Sequence, residues 1–252
     1  MSTEITRALA RLSESTDLLL ATADGLTDAQ AAAGSRLPGW SRGHVLTHIA
    51  RNADGFRNLL AWARTGTETP MYPSEEARDR AVVAGAGRSA ADLAADLRAS
   101  AAAFAAAAED LPAAAWDAPV TRRRATFPAR GILSRRWSEL EIHHVDLGTG
   151  YQPGDWPADF VQVTLPRVAH DFAGRADAPA CLARPDGQDN AFPIGPARPG
   201  DVSTGPASTG PASTVTVSGP PGALLAWLTG RDGGAGLGVA GAATLPVLPP
   251  WR

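Results

Sequence analysis

The sequence predicts an α+β protein, with a four-helix bundle over residues 1–150 and a smaller α/β domain over residues 151–252. Three observations predict it. Apolar residues recur at helical spacing in four segments before residue 150. After Tyr151 the chain breaks into short segments divided by Pro and Gly. A 44% hydrophobic content over 252 residues is enough for two cores of ordinary size.

Ile5, Leu9, Leu12 and Leu19 fall on one face of a first helix that should stop near Gly25. Ser41 then offers its hydroxyl to an orphan backbone N–H, and Val45, Ile49, Phe56, Leu59 and Leu60 continue a second helix over 42–64. A loop punctuated by Gly and Pro follows, containing Pro70, Met71, Tyr72 and Pro73. Ser89, with Asp92 three residues on, opens a third, Ala-rich helix carrying Leu93, Leu97, Phe104 and Leu111. The fourth spans 131–147, where Leu133, Trp137, Leu140, His144 and Leu147 form a seam that Gly148 ends.

Beyond Tyr151, a helical piece over 160–172 precedes strand-like segments at 181–183, 191–194 and 213–217. The tandem Ser-Thr-Gly-Pro-Ala repeat over 203–212 cannot bury apolar surface and is expected as an exposed loop. A short helix over 222–229, opened by Pro221, ends at Gly230 and Arg231.

Composition excludes several functions. The net charge of -3, with neither sign in a long run, provides no basic stripe for nucleic acid. No apolar stretch reaches the roughly 20 residues a membrane span needs, and the start lacks a secretory pattern, so a cytoplasmic location is expected. The chain contains no Lys, which removes Schiff-base chemistry, and its single cysteine, Cys181, reads as a small buried hydrophobe.

Four of the five histidines cluster on two helices, His44 with His48 and His143 with His144, the latter beside Glu139 and Glu141. At about 100° per residue, i and i+4 positions lie roughly 40° apart, so Glu139 and His143 converge, as do His44 and His48. His144 falls in the apolar seam and reads as a core histidine. Glu139 and His143 lie about 100° from that seam, where the geometry leaves two readings, a solvated ion pair or a metal site. Glu141 with His144 is a third arrangement, ranked lower because it draws a ligand from the seam.

The stretches from Gly39-Trp40-Ser41-Arg42-Gly43-His44 through His48 to Ala53, and Ser138-Glu139-Leu140-Glu141-Ile142-His143-His144 through Gly148, resemble the two metal-binding helix signatures of the mycothiol-dependent maleylpyruvate isomerases. That family belongs to the DinB-like superfamily of four-helix thiol transferases. Met71-Tyr72, Ala77-Arg78 and Gly230-Arg231 extend the resemblance over both domains.

The resemblance implies zinc held by His48, Glu139 and His143, with open positions for water or thiol, and mycothiol as the second cofactor. It also implies a reaction: a thiolate adds to the cis double bond of maleylpyruvate, the resulting single bond rotates, and elimination gives fumarylpyruvate with the thiol regenerated. The substrate class is a small unsaturated dicarboxylate, and Arg78 and Arg231 match the family's substrate-binding arginines. Tyr72 is a weaker candidate, and the Arg122-Arg123-Arg124 run reads as a solvated loop. The resemblance leaves open a mycothiol S-transferase of the same fold. A non-catalytic module with structural zinc is a further alternative, for which a fourth ligand such as His44 would be diagnostic. The C-terminal domain is expected to complete the active site.

Overall fold

A computed structural model describes residues 2–123, 125–196 and 215–251. The chain divides into two compact units, Met1–Tyr151 and Gln152–Arg252. The fold is α+β, with a helical N-terminal unit and a smaller unit that combines helices and a sheet.

In the first unit, α1 (Thr3–Asp24) is capped by Ser2, whose side chain accepts from the Ile5 N–H at 3.3 Å, and it buries Ile5, Leu12 and Leu19. A short helix, α2 (Asp28–Ala32), leads to α3 (Arg42–Thr65), which starts at Ser41 and ends at Gly66 in the left-handed region. Next come α4 (Glu75–Ala86) and α5 (Ala90–Glu109), the latter capped by Ser89. A hairpin of β1 (Pro119–Arg122) and β2 (Ala125–Pro128) precedes α6 (Gly131–Leu147), which Gly148 ends at φ 64°. The four long helices form a ring: α1 packs on α5, α5 on α3, α3 on α6 and α6 on α1. Leu19, Ile49, Phe56, Leu59, Leu97 and Ile132 are among the side chains fully buried inside it.

Two features of this unit depart from the sequence expectation. The region read as a loop before Ser89 contains α4, which buries only Val82 and Ala86 and so carries no apolar stripe for periodicity to detect. It lies against α3 at close range: a Cβ built on Gly43 would come within 2.2 Å of the Ala86 carbonyl oxygen, and one on Gly85 within 2.5 Å of Thr47 Cγ2. These glycines let the two backbones approach. The second departure is the hairpin. Arg122 is the last residue of β1 and Arg123 turns the corner at φ 55°, so this part of the arginine run is ordered structure; Arg124 lies outside the described residues.

In the second unit, α7 (Ala158–Phe172) packs on α8 (Pro221–Thr229). Among the described residues, four strands, β3 (Cys181–Pro185), β4 (Phe192–Ile194), β5 (Thr216–Gly219) and β6 (Gly238–Ala240), run in the order β4-β3-β5-β6. The central β3–β5 pair is parallel, and β4 and β6 pair antiparallel at the two edges. Phe160, Leu165, Val168 and Phe172 of α7, with Leu224, Leu225 and Leu228 of α8, are buried. Cys181 is buried too, and burial pushes its thiol up to about 11, which makes it a poor nucleophile. The Ser203–Ala212 repeat lies outside the described residues, as do the first two residues of the strand expected over 213–217. No helix among the described residues is long and apolar enough to cross a membrane.

Candidate metal centre

The capping box at the start of α3 decides the fate of its first histidine. Ser41 Oγ accepts from the His44 N–H at 3.3 Å, while His44 Nδ1 accepts from the Ser41 N–H at 3.2 Å and lies 2.7 Å from Ser41 Oγ. His44 is thus held at the helix terminus. One turn on, His48 is buried, with the Trp40 ring edge-on at 5.6 Å between centroids.

Across the bundle, α6 sends its residues to two opposite faces. On the face toward α1, Glu141 Oε1 accepts from Ser15 Oγ at 2.5 Å and from Trp137 Nε1 at 3.3 Å, and its Oε2 accepts from the Tyr151 hydroxyl at 2.5 Å. His144 stacks on Tyr151 at 4.0 Å and contacts Thr22 Oγ1 at 2.8 Å through Nε2. His144 is the core histidine the seam predicted, and both members of the lower-ranked ligand pair are committed to this network.

On the face toward α3, Glu139 Oε2 lies 3.1 Å from His48 Nε2 and 3.3 Å from His143 Nε2. One ligand atom from each of His48, Glu139 and His143 lies within 4.8 Å of the other two, and among the described residues this cluster takes in no fourth His, Cys, Asp or Glu. The His143 ring is fixed from behind by Asp146, 2.8 Å from Nδ1. The donor set fits a divalent metal: two imidazole nitrogens and a carboxylate oxygen converge, and Asp146 selects the tautomer that turns the His143 Nε2 lone pair inward. His44 is absent from the cluster, so the three candidate ligands would leave coordination positions open on a bound metal.

The electrostatics match. Burial pushes His48 below the ordinary histidine value despite its contact with Glu139, which favours the neutral ligand form. Burial alone would also lower His143, but the hydrogen bonds to Asp146 and Glu139 outweigh it and raise the pKa. Glu139 would be raised by burial, yet the contacts with His143 and His48 hold its carboxyl well below the usual range.

The cluster opens through His48 onto a cleft of about 290 Å³, whose lining includes Met71, Tyr72, Arg78 and Arg122. Arg78 Nη1 donates to Asp79 at 2.9 Å. Tyr72 is half-buried and pushed up to about 12, first by burial and then by the charge of Glu139, so it is a protonated hydrogen-bond donor at neutral pH. Arg122, expected in a solvated loop, instead places Nη2 3.3 Å from Glu139 Oε1 and its guanidinium 5.8 Å from the centroid of the Phe56 ring. Its position could not be found from sequence, because it depends on how the hairpin folds against α3. Asp146 left a signal, since it follows His143 at i+3. Arg231 belongs to the second unit, where its Nη1 donates to the Thr229 carbonyl at 2.6 Å.

Residues 12–148 match the family profile described as "Mycothiol maleylpyruvate isomerase N-terminal domain". The chain belongs to the mycothiol maleylpyruvate isomerase family. Residues 155–250 match the profile of that family's C-terminal domain. The fold is that of a solved member, "Crystal structure of the mycothiol-dependent maleylpyruvate isomerase", with 26% sequence identity, a TM-score of 0.86 and full coverage of both chains. A crystal structure of a histidine-to-alanine mutant of that isomerase gives the same TM-score, identity and coverage. No curated protein sequence matches the chain.

Proposed function

We propose that this chain is a zinc- and mycothiol-dependent isomerase that converts maleylpyruvate to fumarylpyruvate. The observation that carries the proposal is the convergence of His48, Glu139 and His143 beside a cleft that Arg78 lines, in a chain of this family. His48, Glu139 and His143 would hold the zinc, and Asp146 would keep His143 in its ligating tautomer. When bound, zinc and mycothiol together supply a thiolate at neutral pH, a nucleophile that can add to the cis double bond and, after rotation, leave it trans.

The chain's own residues bind, orient and exclude. Without Lys and with Cys181 buried, the protein offers no strong nucleophile of its own, in keeping with an external thiol. Arg78 attracts the dianionic substrate and takes one carboxylate, and the family resemblance assigns another to Arg231 of the C-terminal domain. Tyr72 remains protonated and donates a hydrogen bond to substrate oxygen in the cleft. The apolar wall formed by Met71, buried beneath the cleft, limits water near the reacting carbons.

The test is to follow loss of maleylpyruvate absorbance with and without mycothiol while assaying free thiol. Many turnovers per thiol, with the thiol recovered, are expected. A stoichiometric, stable thioether would reject isomerisation in favour of an S-transferase.

A further inference from the structure

The arginine run after Val120 divides in two. Arg123 is exposed and pairs with Glu75 on the surface at 3.3 Å. Arg122 is far less exposed: its side chain, 19% exposed, lines the same cleft as Arg78 and Arg123, and is held by Glu139 and the Phe56 ring. A guanidinium carries five N–H donors. Of these, only Nη2 has a hydrogen-bond partner among the described residues, namely Glu139 Oε1. A partly buried cation with spare donors on a cleft wall is arranged to receive an anion, since unpaired donors there lose water without compensation.

The other two cleft arginines, Arg78 and Arg123, are differently committed, Arg123 to Glu75. Arg78 already donates to Asp79 and sits 3.8 Å from Glu75. Arg122 alone touches the metal-binding carboxylate, through the oxygen that faces away from the two histidines.

We infer that Arg122 shares with Arg78 the substrate carboxylate adjoining the reacting double bond, fixing that end of the diacid beside the metal centre. This rests on the proposed function and adds a residue to it. A planar fork braced by Glu139 on one edge presents its remaining N–H groups in a fixed direction, so little rotamer freedom is lost when a carboxylate docks. Arg122 would therefore distinguish a cis-enedioate from a neutral electrophile of similar shape.

The experiment titrates maleate, a cis-dicarboxylate, into zinc-saturated protein by calorimetry without thiol, for wild type, Arg122→Gln and Arg122→Lys. Zinc affinity is measured in parallel by chelator competition. Maleate affinity should fall about ten- to a hundred-fold in Arg122→Gln and recover in part in Arg122→Lys, with zinc affinity within a few-fold of wild type. If wild type fails to bind maleate, if Arg122→Gln binds it unchanged, or if zinc affinity falls in place of maleate affinity, Arg122 only braces Glu139 and the inference is overturned. Arg122-dependent maleate binding by a wild type that does not isomerise maleylpyruvate would reject the proposed reaction and keep the docking site. Isomerisation with Arg122-independent maleate binding would do the reverse.

Discussion

His143 Nδ1 lies 2.8 Å from Oδ2 of Asp146, less than a turn further along the same helix. Asp146 is buried, as is much of this face of α6, so the contact fixes the ring in a low-dielectric setting where its orientation cannot drift. The chain thereby builds the outer half of a histidine–carboxylate pair into one helix, and the inner nitrogen of His143 is left to face Glu139 and His48.

Asp146→Asn should weaken zinc binding by about ten- to a hundred-fold, the usual cost of losing a carboxylate behind a ligating histidine. The amide is nearly the same size, so the bundle should stay folded. Competition with a chelator of known affinity, alongside circular dichroism, checks both parts. Unchanged zinc affinity would show that Asp146 has no part in orienting the ligand.

Replacing ligands should separate metal loss from unfolding. The bundle has its own apolar core, including Leu46, Ile49, Phe56, Leu97 and Ile132. Glu139→Ala with His143→Ala should therefore remain helical while losing the roughly one zinc per chain expected of wild type. Elemental analysis measures the metal, and full zinc retention in the double variant would reject the ligand set.

Zinc uptake should release protons, because the metal and a proton compete for His143 Nε2. Burial opposes protonation of His143, but the contacts with Asp146 and Glu139 outweigh it and raise its pKa, so the metal-free site holds a proton there more readily than a free imidazole does. His48, lowered by burial, is mostly neutral at pH 6.5. Affinity should thus begin to fall while pH is still above 6.5 and fall further on acidification. Calorimetry at pH 6.5 in two buffers of different ionisation enthalpy should show proton release on zinc binding, and less of it in Asp146→Asn. Zero release would contradict the raised pKa.

The sequence exposed those parts of the molecule that repeat. The seam of Leu133, Trp137, Leu140, His144 and Leu147 is apolar at helical spacing, and Glu139 and His143 lie about 100° from it, so one wheel separated the structural histidine from the one in the candidate metal cluster. Helix α4 was illegible because it buries only Val82 and Ala86; its one local signal was Ser74, whose side chain accepts from the Ala77 N–H at 3.1 Å. The hairpin was hidden by three consecutive arginines, a composition that reads as solvent-facing. Arg122 reaches Glu139 only through tertiary packing, which no local pattern encodes.

Arg231 allows a test in which a structural and a functional role give opposite results. It follows Gly230, which ends α8 at φ 73°, and its backbone N–H donates to the Ala226 carbonyl at 2.8 Å. Its guanidinium donates to the Thr229 carbonyl at 2.6 Å, so the side chain satisfies an acceptor at the end of the helix. If capping were its whole role, Arg231→Ala would cost stability of about 1 kcal/mol, visible as a lower unfolding midpoint, and kinetics at the folded temperature would be unchanged. If it grips a substrate carboxylate, kcat/KM should fall roughly ten- to a hundred-fold, since a charge-assisted contact contributes about 1.5 to 3 kcal/mol. Arg231→Lys keeps the charge and can still reach a carbonyl, but it lacks the bidentate fork, so it should restore stability fully and catalytic efficiency only in part. Zinc content should match wild type in both variants. Kinetics measured well below saturation, with thermal unfolding on the same samples, resolves the two roles. Near-wild-type kcat/KM in Arg231→Ala beside a lowered midpoint would remove the C-terminal domain's proposed contribution to substrate binding and leave Arg231 as a helix cap.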